Sequence, residues 1–163
     1  MEGEGGMTAT EIKALLKRLY AYRTSSIFVP EYTWKSLRVD ALIVDIQKRW
    51  IRGFEVKVNR GDFLRDDKWM LYSEFCSSLS VVCPENIVMP EEIKKPYGLL
   101  WVVKNQSSLE YYRLVWKKKP MNFQKRDGLA WFWTYTNVLE TELLRLDREL
   151  AWIKDWQGRT LDE

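Results

Sequence analysis

Near the start of the chain Ile12, Leu15, Leu16 and Leu19 recur at helical spacing behind Thr8 and Thr10, either of which can cap a helix. An amphipathic helix is predicted over residues 9–22, with Glu11 where a capping box from Thr8 would use it. Ser25 and Ser26 break it. Residues 27–30 then form a short strand running toward Trp34, with Pro30 marking an edge or an end. Residues 37–45 and 50–58 are apolar-rich strands on either side of the polar turn Gln47-Lys48-Arg49, the pattern of a β-hairpin. Asn59-Arg60-Gly61 closes the second strand. From the cap Asp62 to about residue 75, Phe63, Trp69 and Tyr72 fit a single helix. Residues 79–83 make a buried strand stopped by Pro84, a short turn or helix spans 90–95, and residues 98–103 make another strand. Residues 109–116 alternate as an edge strand does. From about 129 to 156 one long helix is predicted, with Leu139, Leu143, Leu146, Leu150 and Ile153 falling every three or four residues. This order predicts an α/β domain with a mixed sheet over residues 9–126. A flexible start (1–8) precedes it, and a C-terminal helix (127–163) follows, packed on the domain or at a dimer interface.

Composition narrows the class. A chain of 163 residues with 46% hydrophobic and 30% charged positions fits one soluble domain and is too apolar for a disordered tail. No apolar run approaches the roughly 20 residues of a membrane span. The acidic, glycine-rich start lacks the basic and apolar regions of a secretory signal, so a cytoplasmic protein is expected. Cys76 and Cys83 are too few for a disulfide framework, and are read as reduced, buried thiols. There is no histidine, which removes Ser-His-Asp and Cys-His nucleophile systems and histidine-ligated zinc. A bound metal would need oxygen ligands, which points to magnesium or manganese.

Within the hairpin, Glu55 and Lys57 lie two apart and share one face of the sheet, while Phe54, Val56 and Val58 share the other. Asp40 interrupts the neighbouring strand, and pairing through a turn near Lys48 sets it opposite about residue 56. Asp40 and Glu55 can then converge on one cation, with the Val56 backbone carbonyl as a further oxygen ligand and Lys57 alongside. A metal held there would lower the pKa of a bound water and offset charge developing on a phosphate, a route to phosphodiester hydrolysis without histidine. The plain alternative is an exposed Glu55–Lys57 ion pair, worth about 0–1 kcal/mol.

The spacing from Asp40 to Glu55-Val56-Lys57 resembles the D…(D/E)-x-K core of the PD-(D/E)XK nuclease superfamily. The longer string is more specific. Arg38-Val39-Asp40, the run from Phe54 through Asn59-Arg60-Gly61-Asp62 to Phe63, then Asp66, Lys68-Trp69 and Tyr72, resembles the MmcB-type DNA repair family within it. The likeness covers about residues 10–117. It departs at Asn59, where relatives often carry serine, and the tail from about residue 121 has no counterpart.

This resemblance implies a restriction-endonuclease-like α/β/α sandwich around a mixed sheet, with a magnesium- or manganese-dependent nuclease activity on DNA. It makes Asp40 and Glu55 metal ligands and Lys57 the catalytic lysine. Glu11 matches the place of an accessory carboxylate, against its capping-box reading. Lys68 and Tyr72, on one helical face, would contact phosphate or water, against a core role for Tyr72, and Arg60 is a further phosphate contact.

Charge distribution adds one more candidate surface. The net charge is only +3, yet residues 111–126 carry Arg113, Lys117, Lys118, Lys119, Lys125 and Arg126 with no acid. With Tyr111, Tyr112 and Trp116, the three consecutive lysines can track a phosphate backbone or simply form a solvated strand end. The leading expectation is a DNA nuclease in repair or processing. Its rivals are a non-cleaving DNA- or partner-binding module on the same fold, and a subunit whose specificity comes from a partner protein.

Overall fold

A computed structural model describes residues 6–20, 25–105, 111–123 and 128–160. Its elements run α1 (Ala9–Tyr20), β1 (Ser26–Trp34), β2 (Leu37–Asp45), β3 (Trp50–Val56), α2 (Arg60–Arg65), β4 (Ser78–Pro84), β5 (Gly98–Lys104), β6 (Tyr112–Lys118) and α3 (Gly128–Thr160). Two 3-10 segments, Lys68–Glu74 and Pro90–Glu92, complete the order. The strands form one six-stranded mixed sheet in sequence order. The first three are an antiparallel meander, β3 to β5 are parallel, and β6 returns antiparallel. A parallel step needs a long crossover, and α2 with the first 3-10 segment supplies the one between β3 and β4.

Both faces of the sheet are covered. On one, Ile12, Leu15 and Leu16 of α1 pack on Ala41, Ile43, Phe54, Val56 and Val82. On the other, Trp69 and Tyr72 of the first 3-10 segment and Phe75 just after it, together with Val138 of α3, pack on Leu42, Val44, Ile51, Leu79 and Val81. Coverage on both sides accounts for the burial of β4 from Ser78 to Cys83 and for the apolar run Leu99–Val103 in β5. Among the described residues no helix is long and apolar enough to cross a membrane.

The architecture matches the expected α/β class, with three local differences and one expected boundary outside the described residues. The strand expected at residues 27–30 is nine residues long and pairs with β2 over its length. The edge strand begins at Tyr112; its expected start at Leu109 lies outside the described residues. β3 ends at Val56, two residues early. The helix expected from Asp62 to residue 75 is instead α2, capped by Asn59, then an extended break at Asp66, then a 3-10 segment.

A phase slip in the first two strands prepares the site. In β2, Leu42 and Val44 face the core under the 3-10 segment, and so does Val39, three residues from Leu42 rather than two. In β1 the same face takes Ile27, Val29, then Tyr32 and Trp34, again with one step of three. The slips are paired, since Val29 sits opposite Leu42 and Tyr32 opposite Val39, and Glu31 between them has a positive φ of 54°. Asp40 falls at the slip, where the regular in-and-out alternation of side chains is interrupted.

Gly53 is a point where the packing leaves no room. A Cβ there would come within 2.8 Å of Cys76 Sγ and 2.8 Å of Leu79 Cδ1, both in the core. Gly53→Ala is therefore expected to destabilise the protein by about 1–3 kcal/mol through overpacking, whereas Gly6→Ala, with nothing within 4 Å, is expected to be neutral. Urea unfolding of the two variants beside the wild type checks this.

Candidate active site

The site is built where β3 leaves the sheet. The β2–β3 ladder closes over a four-residue turn with Asp45 opposite Trp50 and runs to Ala41 opposite Phe54. This register sets Asp40 across from Glu55, one residue from the expected position. Beyond the ladder the Val56 N–H donates to Asp40 Oδ2 at 2.8 Å. The Asp40 side chain thus does what a strand carbonyl does in an unbroken ladder. On the other flank β3 stays paired, as the Lys57 N–H donates to the Val82 carbonyl at 2.9 Å.

Glu55 and Lys57 are both about 5% exposed, on the face opposite Phe54 and Val56. A buried ammonium is costly unless paired. Lys57 Nζ donates to Glu55 Oε1 at 3.0 Å and to Asp66 Oδ2 at 2.6 Å. Asp66 reaches it because the chain breaks there. Asn59 Oδ1 accepts the Asp62 N–H at 2.9 Å and starts α2, and Asp66 then turns extended at φ −112°, ψ 112°. Its second oxygen accepts the Lys68 N–H at 3.0 Å, which starts the 3-10 segment. Asp66 is the site residue that sequence reasoning did not single out. The adjacent pair Asp66-Asp67 inside an otherwise helical pattern was the signal, since aspartate favours turns and caps over helix interiors.

Asp40, Glu55, Val56, Lys57, Asp62, Arg65 and Asp66 line one open cleft of about 350 Å³. Its walls carry four carboxylates against two cations. Burial, with the nearby Asp40 charge, pushes the Glu55 carboxyl up to about 7, and Lys57 offsets only part of this. Burial alone would lower the Lys57 ammonium, but the two carboxylates touching it hold it raised. Asp66 is likewise penalised by burial, yet Lys57 outweighs that and keeps it low. Glu55 Oε2 is buried with no hydrogen-bond partner. That orphaned oxygen, the surplus of negative charge and the all-oxygen donor set fit a hard divalent cation held by Asp40 and Glu55. Among the described residues no three acidic or cysteine side chains gather as a ready-made cage, so water and substrate oxygens would complete the coordination.

The other expected residues lie elsewhere or are engaged. Glu11 closes the capping box, accepting from the Thr8 N–H at 2.7 Å and from its hydroxyl at 2.8 Å, and lines a separate pocket with Tyr111 and Tyr112. Arg60 forms a forked pair with Glu92 and donates to the Ile87 carbonyl at 3.2 Å, so its guanidinium is already taken up. The Tyr72 ring is buried in the core, and its hydroxyl donates to the Arg38 carbonyl at 2.6 Å, so its polar tip is satisfied by the backbone of β2. Lys68 is exposed at the start of the 3-10 segment and does not line the cleft. Lys117 sits over the Trp101 ring at 4.6 Å, Lys118 donates to the Pro90 and Ile93 carbonyls, and Lys119 is exposed beyond β6. None of these three lysines lines the cleft, and Lys125 and Arg126 lie outside the described residues.

No protein-family model matches the chain, and no curated protein matches it. A solved structure of a protein of unknown function from Silicibacter pomeroyi is similar, with a TM-score of 0.61 and 22% identity, over 81% of this chain and 86% of that one. At that identity the likeness shows a shared fold.

The raised Glu55 carboxyl has a stability consequence with a definite sign. Between its ordinary value of 4.5 and about 7, the unfolded chain releases a proton that the folded protein keeps, so raising the pH favours unfolding. Glu55→Gln removes this term. In metal-free buffer the wild type is expected to lose roughly 1–3 kcal/mol relative to Glu55→Gln between pH 4.5 and 7, with no further change above. Millimolar magnesium should shrink the difference. Urea unfolding of both proteins across this range measures it, and a pH-independent gap would remove the charge-burial account.

Proposed function

We propose that this protein is a magnesium- or manganese-dependent nuclease of the PD-(D/E)XK type that hydrolyses phosphodiester bonds in DNA. The observation that carries the reading is Glu55, which lines the same cleft as Asp40 and keeps a buried Oε2 with no hydrogen-bond partner, with the Lys57 ammonium 3.0 Å from its other oxygen. The layering of α1 on one face and the 3-10 segment and α3 on the other supports a restriction-endonuclease-like fold.

A cleft with four carboxylates and two cations repels a phosphodiester until a divalent cation offsets the charge. When bound, such a cation acidifies a coordinated water and polarises the phosphoryl oxygen. In this scheme Asp40 and Glu55 hold the ion. Lys57, kept protonated by Glu55 and Asp66, supplies a fixed positive charge for the phosphate oxygens as negative charge develops on them. Asp66 positions Lys57. Asp40 has a second duty, since its Oδ2 also fixes the Val56 backbone and so the direction of Glu55.

Labelled linear, nicked, single-stranded and branched DNA, incubated with the protein in magnesium or manganese, should be cleaved, and EDTA should stop the reaction. Asp40→Asn, Glu55→Gln and Lys57→Met should each lose about 100-fold or more in rate, as expected for groups that hold the ion or meet the developing charge. Cleavage that survives EDTA, or a Glu55→Gln protein that cleaves at the wild-type rate, would sink the proposal. DNA binding without cleavage in either metal would favour the binding-module alternative.

A further inference from the structure

Beside the cleft lies a second cavity, of about 250 Å³, whose walls include the rings of Phe63, Trp69 and Tyr97. That volume falls just below the roughly 300–1,000 Å³ of sites for drug-sized molecules and suits one small ring system. Trp69 and Tyr97 meet nearly edge to face, with centroids 4.8 Å apart and an interplanar angle of 73°. Together they form a corner against which a flat ring can stack. Leu64 and Met70 also line the cavity and are exposed, so it opens to solvent. The break at Asp66 shapes it: α2 supplies Phe63 and Leu64, the first 3-10 segment supplies Trp69 and Met70, and the loop before β5 supplies Tyr97.

The charges in the wall narrow the occupant. Asp66, Asp67, Glu92 and Lys94 line the cavity. Two of these acids are already neutralised, Asp66 by Lys57 at 2.6 Å and Glu92 by Arg60 at 2.6 Å. Among the described residues Asp67 and Lys94 make no ion pair or side-chain hydrogen bond, and both are exposed. One acceptor and one donor of opposite sign are left over beside aromatic walls. A phosphate or carboxylate would meet three acids, and an ammonium group would meet Lys94 with little uncompensated charge in return. A neutral planar ring that carries both N–H donors and carbonyl or ring-nitrogen acceptors on its edge matches the set, and a nucleobase is such a ring.

Position says whose base it is. Asp66 lines both this cavity and the cleft, where its Oδ2 holds Lys57. A phosphodiester at Lys57 and a ring in the cavity are therefore separated by a single side chain. A base within a continuous duplex has its faces stacked and its edge paired, so it enters only after leaving the helix, at a cost that an unpaired base does not carry. We infer that this cavity takes one unpaired nucleobase next to the phosphate under attack, so that the preferred substrate is DNA single-stranded, flapped or frayed at the cut rather than continuous duplex. The substrate preference rests on the nuclease reading above, while base binding is measurable without it.

Two measurements keep them apart. In a heteronuclear NMR titration of the full chain in metal-free buffer, deoxyadenosine and deoxycytidine, which carry no phosphate, should shift resonances of Trp69, Lys94 and Tyr97 and saturate in the millimolar range. Asp67→Ala/Lys94→Ala should weaken this binding about tenfold, the worth of one hydrogen bond. Both side chains are exposed and Asp67 makes no cap bond, so the variant should keep the wild-type urea midpoint. In magnesium the wild type should cleave a single-stranded oligonucleotide about tenfold or more faster than the same sequence in continuous duplex, and one abasic site beside the preferred cut should remove that advantage. No saturable shift at these residues overturns the inference, as do equal rates on single strand and duplex with no abasic effect; metal-dependent cleavage would then leave the nuclease reading standing. Nucleoside binding here in a protein that cleaves no DNA keeps the cavity as a base site and overturns the nuclease reading instead.

Discussion

A lysine ammonium buried at the end of a central strand has to be paired, and much of the local architecture follows from how Lys57 is. Glu55 reaches it from the same strand, and Asp66 from nine residues on. For Asp66 to turn inward, α2 must stop after six residues, and the chain restarts as a 3-10 segment on the other Asp66 oxygen. That segment, with Phe75 just after it, carries Trp69, Tyr72 and Phe75 onto the sheet and closes one of the two cores. The Tyr72 hydroxyl then ties it to the Arg38 carbonyl, two residues before Asp40. An electrostatic requirement at one side chain thus sets the length of a helix, the roof of a core and the anchorage of the strand opposite.

The second constraint is the shared slip of β1 and β2. A strand in regular alternation would send Asp40 toward one apolar core or the other, where an unpaired carboxylate is costly. With the alternation interrupted, its carboxylate instead meets the Val56 N–H and the cleft. Coverage of both faces buries the middle of the sheet in two apolar cores, and the proposed chemistry is confined to the rim where strand pairing ends.

How much of this was legible depended on whether strand and turn geometry alone fixed it. The opposite facing of Phe54, Val56 and Val58 against Glu55 and Lys57 follows from strand geometry alone, and was readable. The nearness of Asp40 and Glu55 was readable from the short turn between their strands, with an error of one residue because the loop has four. The break at Asp66 had only the weak local signal of the Asp66-Asp67 pair, and the partner that fixes its conformation, the Lys57 ammonium, is a tertiary contact. Arg60 and Lys118 looked available for phosphate, and are held by Glu92 and by the carbonyls of Pro90 and Ile93, groups 25 or more residues away. Tyr72 carried two readings, and its hydroxyl found a backbone carbonyl 34 residues away.

Cys76 and Cys83 are free thiols deep in the same core, and burial pushes both well above the ordinary thiol range. The cleft itself offers only oxygen and nitrogen atoms. Soft metals such as cadmium or mercury therefore find no sulfur ligand there, and mild oxidants or alkylating agents find no thiolate to attack. The proposed chemistry should run equally well in reducing and oxidising surroundings, a tolerance that comes from the donor set rather than from any protective device.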